Sequence, residues 1–117
     1  EIRLKKGMVL YNALKDNEHL ILPKITENST PVFNHMPVVF KEIETMEKVQ
    51  AELWNRRIDT GRMYLRPVHH LYDLGYDMQE ELFPNALYIA ERLLTLPSHP
   101  YLDDNSIKKI INVFKSI

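Results

Sequence analysis

Cysteine is absent from the 117 residues, which excludes disulfides, thiol nucleophiles and zinc–thiolate sites. Glycine is scarce. Gly7, Gly61 and Gly75 stand far apart, so no glycine-rich loop that cradles a phosphate can be built from them. An excess of one charge is lacking too: 15 basic and 16 acidic residues leave a formal net charge of -1. That gives no field to draw in nucleic acid or an anionic membrane. No apolar run approaches the roughly 20 residues of a membrane span, and neither a targeting peptide nor an internal repeat is visible. The length suits one domain, and a domain of this size buries roughly two-thirds of its unfolded surface.

What is present is organised around residues 82–102, LFPNALYIAERLLTLPSHPYL. Pro84 fixes φ, and Asn85 is placed to cap a helix that begins at Ala86. Ala86, Leu87, Ile89, Ala90, Leu93 and Leu94 recur at helical spacing. Leu94-Thr95-Leu96 then alternates and predicts a short buried strand that Pro97 ends. Pro100 biases His99 to an extended conformation, and the His99 side chain is expected to pin the turn by a hydrogen bond.

The remainder alternates helix and strand. Residues 1–17 predict a helix with Ile2, Met8, Val9, Ala13 and Leu14 near one face; Gly7 weakens it by about 1 kcal/mol relative to Ala. Its pattern is already under way at Glu1, which suggests a piece of something longer. Leu20-Ile21-Leu22 reads as an edge strand or packed loop, and residues 26–31 as an exposed loop. Met36-Pro37-Val38-Val39-Phe40 is β-rich, its proline favouring an edge or a bulge. Thr45 can cap a helix whose stripe is Met46, Val49, Leu53 and Trp54, all read as core. Residues 58–65 return to an extended pattern, and 70–76 predict a short helical turn closed by Gly75. Asp103 or Asp104 caps a last helix that buries Ile107, Ile110, Ile111 and Phe114. This order predicts an α+β fold: a small two-layer sandwich with a mixed sheet of three to four short strands covered by helices on one face.

Few residues carry chemistry. His69 and His70, near Asp73, are suited to proton handling; ordinary packing of one and exposure of the other explains them equally well. Shared metal ligation is disfavoured, because adjacent side chains on regular structure point different ways. Tyr64 and Arg66 flank a predicted strand end, where Arg can bind a carboxylate or phosphate and the Tyr hydroxyl can orient a polar ligand. An aromatic on a sheet face beside a solvated charge fits them as well.

Two motifs, IDTGRMYLRPVHHLYDLGY over 58–76 and FPNA followed by AERLLTLPSHPYL, lead into an acidic cap and a final amphipathic helix. In this order they resemble the end of the DegT/DnrJ/StrS family of pyridoxal phosphate-dependent sugar aminotransferases. The resemblance implies that residues 18–117 are the small C-terminal domain and residues 1–17 the end of a linking helix from a large domain. It implies a cytoplasmic, homodimeric parent that moves an amino group from glutamate to a keto sugar carried on a nucleotide. Tyr64, Arg66 and His69 become substrate-binding candidates, His69 because it holds the family's Pro-x-His position. Pyridoxal phosphate would belong to the large domain: no Schiff-base lysine, pyridine-facing aspartate or phosphate loop can be assigned here. No catalytic, cofactor-binding or metal residue is therefore expected on this chain, nor a nucleic-acid or membrane partner. The alternative is a self-standing binding or assembly module on the same scaffold.

Overall fold

The computed structural model describes the whole chain, Glu1–Ile117. Helix α1 (Ile2–Leu14) is followed by strands β1 (Leu20–Ile21) and β2 (Met36–Phe40) and helix α2 (Ile43–Asn55). A long connection with one 3-10 turn, Val68–His70, leads to helix α3 (Pro84–Arg92), strand β3 (Leu93–Leu96) and helix α4 (Asp104–Phe114). The sheet has three strands in the order β1-β2-β3 and both pairings are antiparallel. The α+β class is as the sequence predicts; the sheet is antiparallel throughout rather than mixed.

Alternation along β2 sends Met36, Val38 and Phe40 into the core. There they meet Leu94 and Leu96 of β3, Leu10 and Leu14 of α1, Met46, Val49 and Leu53 of α2, and Ile107, Ile110, Val113 and Phe114 of α4. Phe40 stacks on Phe114 with ring centroids 5.8 Å apart. Asp103 is the cap of α4: its carboxylate accepts from the Ser106 amide.

Several elements depart from the sequence reading for physical reasons. In α1 the buried residues are Gly7, Leu10 and Leu14, while Ile2 and Val9 are exposed. The face is set by Phe33, whose ring occupies the space a Cβ on Gly7 would need, 2.2 Å from its Cγ. Strand β2 is central, not an edge, despite Pro37. β1 reaches only Val39 and Phe40, so no strand pairs with β2 beside Pro37. Pro37 pairs with Thr95, whose own N–H and C=O bond Gly61 on the far side. Pro37↔Thr95 is therefore a pair that exchanges no hydrogen bonds, and the missing N–H breaks no ladder.

Helix α2 starts at Ile43 behind Glu42, so Thr45 lies inside the first turn and caps nothing. Trp54 is 58% exposed. At 3.6 residues per turn it sits roughly 100° from the centre of the Met46–Val49–Leu53 stripe. The helix ends in a Schellman turn: Ile58 N donates to Leu53 O, Arg57 N to Trp54 O, and Arg57 adopts φ 61. That turn buries Ile58 and redirects the chain. The expected strand over 58–65 shrinks to one bridge, Gly61↔Thr95.

Helix α3 takes Pro84 as its first residue with Phe83 at the cap position, so Asn85 is not the cap. Arg62 closes its other end, donating to the carbonyls of Ala90 and Glu91 at 3.2 and 3.0 Å. The turn after β3 is pinned by Ser98, not His99: Ser98 is buried and bonds the Phe33 carbonyl, and His99 is exposed. Lys6 fastens α1 to the same turn through the carbonyls of Pro100 and Leu102.

Candidate functional site

Pro67 is buried and extended, and the 3-10 turn Val68–His70 starts from it. The turn brings two adjacent imidazoles edge to face, with centroids 4.5 Å apart. Both reach one carboxylate. His69 Nε2 lies 2.8 Å from Glu81 Oε1, and His70 Nε2 lies 2.6 Å from Glu81 Oε2. The Phe83 amide also donates to Glu81 Oε1, at 2.7 Å. Phe83 covers His69 with its ring centroid 4.7 Å away, and Tyr76 meets Phe83 at 5.3 Å. Glu81 is held below the usual carboxylate range, first by the Phe83 amide and then by the two imidazoles, against the opposing effect of its desolvation.

His69 and His70 do not diverge onto separate faces, and their acid is Glu81 rather than Asp73. Asp73 instead accepts from the Gly75 amide in a local turn. The three donor groups lie within 4.8 Å of one another. Contacts of 2.6 and 2.8 Å are hydrogen-bond lengths. Ligands on a tetrahedral metal with bonds of about 2 Å stand about 3.3 Å apart. The cluster as built is thus a hydrogen-bonded hub, and a cation would have to spread it.

Arg66, His69, His70, Met78, Gln79, Glu80 and Glu81 line one open depression. The structure brings Arg66 and His69 together there, although the His69 side chain is only 4% exposed. Tyr64 is exposed and does not line that depression. Glu81 falls in what the sequence presents as a polar link. Its place two residues before Phe83, at the start of α3, is the only sequence signal for it. The same connection leaves Leu65, Val68, Leu71, Tyr72, Leu74 and Tyr76 at the surface.

The three glycines of this chain build no phosphate cradle. Gly7 is filled by Phe33, Gly61 faces Thr95, and Gly75 lies in an open turn, so no pair of glycines forms a cradle. Half-buried Lys6 is already committed to two carbonyls.

The sequence model of the DegT/DnrJ/EryC1/StrS aminotransferase family matches residues 2–115. Among solved structures, DesV from S. venezuelae superposes with a TM-score of 0.82 and 24% identity, covering 98% of this chain and 30% of that one. TlmJ from Streptoalloteichus hindustanus, an aminotransferase, gives 0.79 and 22% over 97% of this chain and 30% of its own. A DegT DnrJ EryC1 StrS aminotransferase from Brucella abortus gives 0.71 and 24% over 98% and 30%. The chain thus spans about 30% of the length of each of these structures. No curated protein matches it by sequence. No helix is long and apolar enough to cross a membrane.

Proposed function

The chain belongs to the DegT/DnrJ/EryC1/StrS aminotransferase family, and we propose that it is the small C-terminal domain of a sugar aminotransferase, covering the active-site cleft without catalysing the reaction alone. Residues 1–17 are the end of the helix leading from a large domain, and residues 18–117 are the domain itself. That large domain holds pyridoxal phosphate, which supplies the electron sink for amino-group transfer. The parent works as a homodimer in the cytoplasm on glutamate and a keto sugar nucleotide. The observation that carries the reading is the match over residues 2–115, joined to a chain that fills about 30% of its structural neighbours.

The local geometry supports a rim role. Arg66 is exposed beside the depression and makes no ion pair, so it is free to meet a negative group on the sugar nucleotide. Tyr64 is exposed and orients a sugar hydroxyl. His69, enclosed under Phe83, supports the rim from below. Large apolar side chains left in water along 65–76 suit a segment that another domain or protomer covers.

Separate half-reactions in the full-length parent test this. A lost hydrogen bond to a charged group is worth about 1.5–3 kcal/mol, roughly 10- to 150-fold in rate. Arg66→Ala should lower kcat/KM for the sugar nucleotide by that factor and leave the glutamate half-reaction close to wild type. Equal losses in both would mean that Arg66 only holds the loop together.

A further inference from the structure

We propose that Glu81 is a positioning residue that locks both imidazoles in one tautomer and makes His70 the ring that accepts a hydrogen bond from a ligand hydroxyl; the ligand half of this rests on the cleft reading above. An ionised carboxylate only accepts hydrogen bonds. Each Nε2 facing Glu81, at 2.8 Å from His69 and 2.6 Å from His70, must therefore carry a hydrogen. A neutral imidazole has one ring hydrogen, so Nδ1 of both rings is a bare acceptor. Neither Nδ1 makes a hydrogen bond within the chain.

The two rings then part in role. His69 is packed between Phe83 and His70 and is 4% exposed, so it braces its neighbour. The His70 ring is 30% exposed and lines the depression with Arg66. The depression thereby presents one permanent cation, Arg66, and one bare acceptor, His70 Nδ1, beside the carboxylate of Glu80. Arg66 suits an anionic group. His70 Nδ1 suits an O–H donor and disfavours a phosphate oxygen, which has nothing to donate. A sugar carried on a phosphate has both kinds of group. Glu81 also accepts from the Phe83 amide, so the same carboxylate ties the rim to the start of α3.

Nitrogen-15 imidazole spectra of the chain, above the pH at which histidine is protonated, read the tautomers directly. Both rings are expected as Nε2–H. In Glu81→Gln the amide offers one acceptor and one donor group, so one ring should keep Nε2–H and the other should turn to Nδ1–H. Mixed tautomers in the wild type, or Nε2–H on both rings in Glu81→Gln, would overturn the proposal. If Glu81→Gln loses the amide signals of the distant α4 cap and so has not folded, the wild-type spectrum decides. In the full-length parent, His70→Ala and Glu81→Gln should each lower kcat/KM for the sugar nucleotide about tenfold, with a smaller loss in the glutamate half-reaction. Wild-type rates for His70→Ala beside a loss for Arg66→Ala would overturn the role given to His70. Wild-type rates for Arg66→Ala beside the expected tautomers would instead count against the cleft reading.

Discussion

Ser98 and Phe33, 65 positions apart, share a buried hydrogen bond: the Ser98 hydroxyl donates to the Phe33 carbonyl at 2.7 Å. Phe33 needs the support, since it holds φ 47, a left-handed conformation that costs a side-chain-bearing residue. Ser98→Ala strands that carbonyl and should cost about 1–3 kcal/mol. Urea melts would measure it, and an unchanged midpoint would show that water replaces the hydroxyl.

Gly7 lies under the same Phe33 ring. Helix propensity alone favours Gly7→Ala by about 1 kcal/mol. A Cβ there would stand 2.2 Å from the Phe33 ring, so overpacking of about 1–3 kcal/mol should reverse the sign. A raised melting temperature for Gly7→Ala would mean that the ring moves aside freely.

Leu53 and Trp54 are neighbours in sequence with opposite environments. Leu53 is fully buried, and Leu53→Ala should cost about 2–5 kcal/mol. Trp54→Ala should stay within about 0.5 kcal/mol, as an exposed substitution does. Circular dichroism melts of both variants would check the contrast, and a large loss at Trp54 would place it in the core after all.

This pair shows where sequence pattern runs out. Periodicity located α2, α4 and β2 because each is long enough, or alternates clearly enough, to repeat a burial signal, whereas β3 is buried on both faces and is marked only by its Leu-Thr-Leu run before Pro97. It failed on which residues sit at the margin of a stripe, since Trp54 is apolar but angularly displaced. It failed again at 58–65, where a Schellman turn at Arg57, a residue with no turn signature, overrode an extended pattern. At the candidate site, Pro67 and His69 were legible as a motif. Glu81 was not: its role arises only when a loop of 12 positions closes on His69. Such closures leave no period in the sequence.

Arg57 itself yields a test. Left-handed φ costs a non-glycine residue about 1–2 kcal/mol, and glycine loses about 0.5–1 kcal/mol of that advantage to chain entropy. Arg57→Gly should therefore gain roughly 0.5–1 kcal/mol. Chemical denaturation would measure it, and a net loss would show that Arg57 makes a stabilising contact of its own.

Asp103 sets an acid limit. Its carboxyl is held below the usual aspartate range, first by the Ser106 amide and then by the Ser106 side chain, with the charges of Lys109 and Lys6 adding to this. A lowered folded-state pKa stabilises the fold fully above the unfolded value, near pH ~4, and that contribution is lost as pH falls through the lower folded value. Asp103→Asn keeps a capping oxygen but has no proton to gain. The wild-type melting temperature should drop more steeply below pH ~4 than that of Asp103→Asn. Parallel curves for the two proteins would refute the assignment.

Pro37 has a consequence for how copies of the molecule meet. β1 leaves one side of β2 unpaired beyond Val39, where Pro23, Lys24 and Ile25 line a pocket with Pro37, and an unpaired strand flank normally invites a strand from another chain. At Pro37 that flank presents a ring where a visiting carbonyl would look for an amide. Pro37, out of place by the usual rule for a central strand, removes from that flank the donor a visiting strand would need.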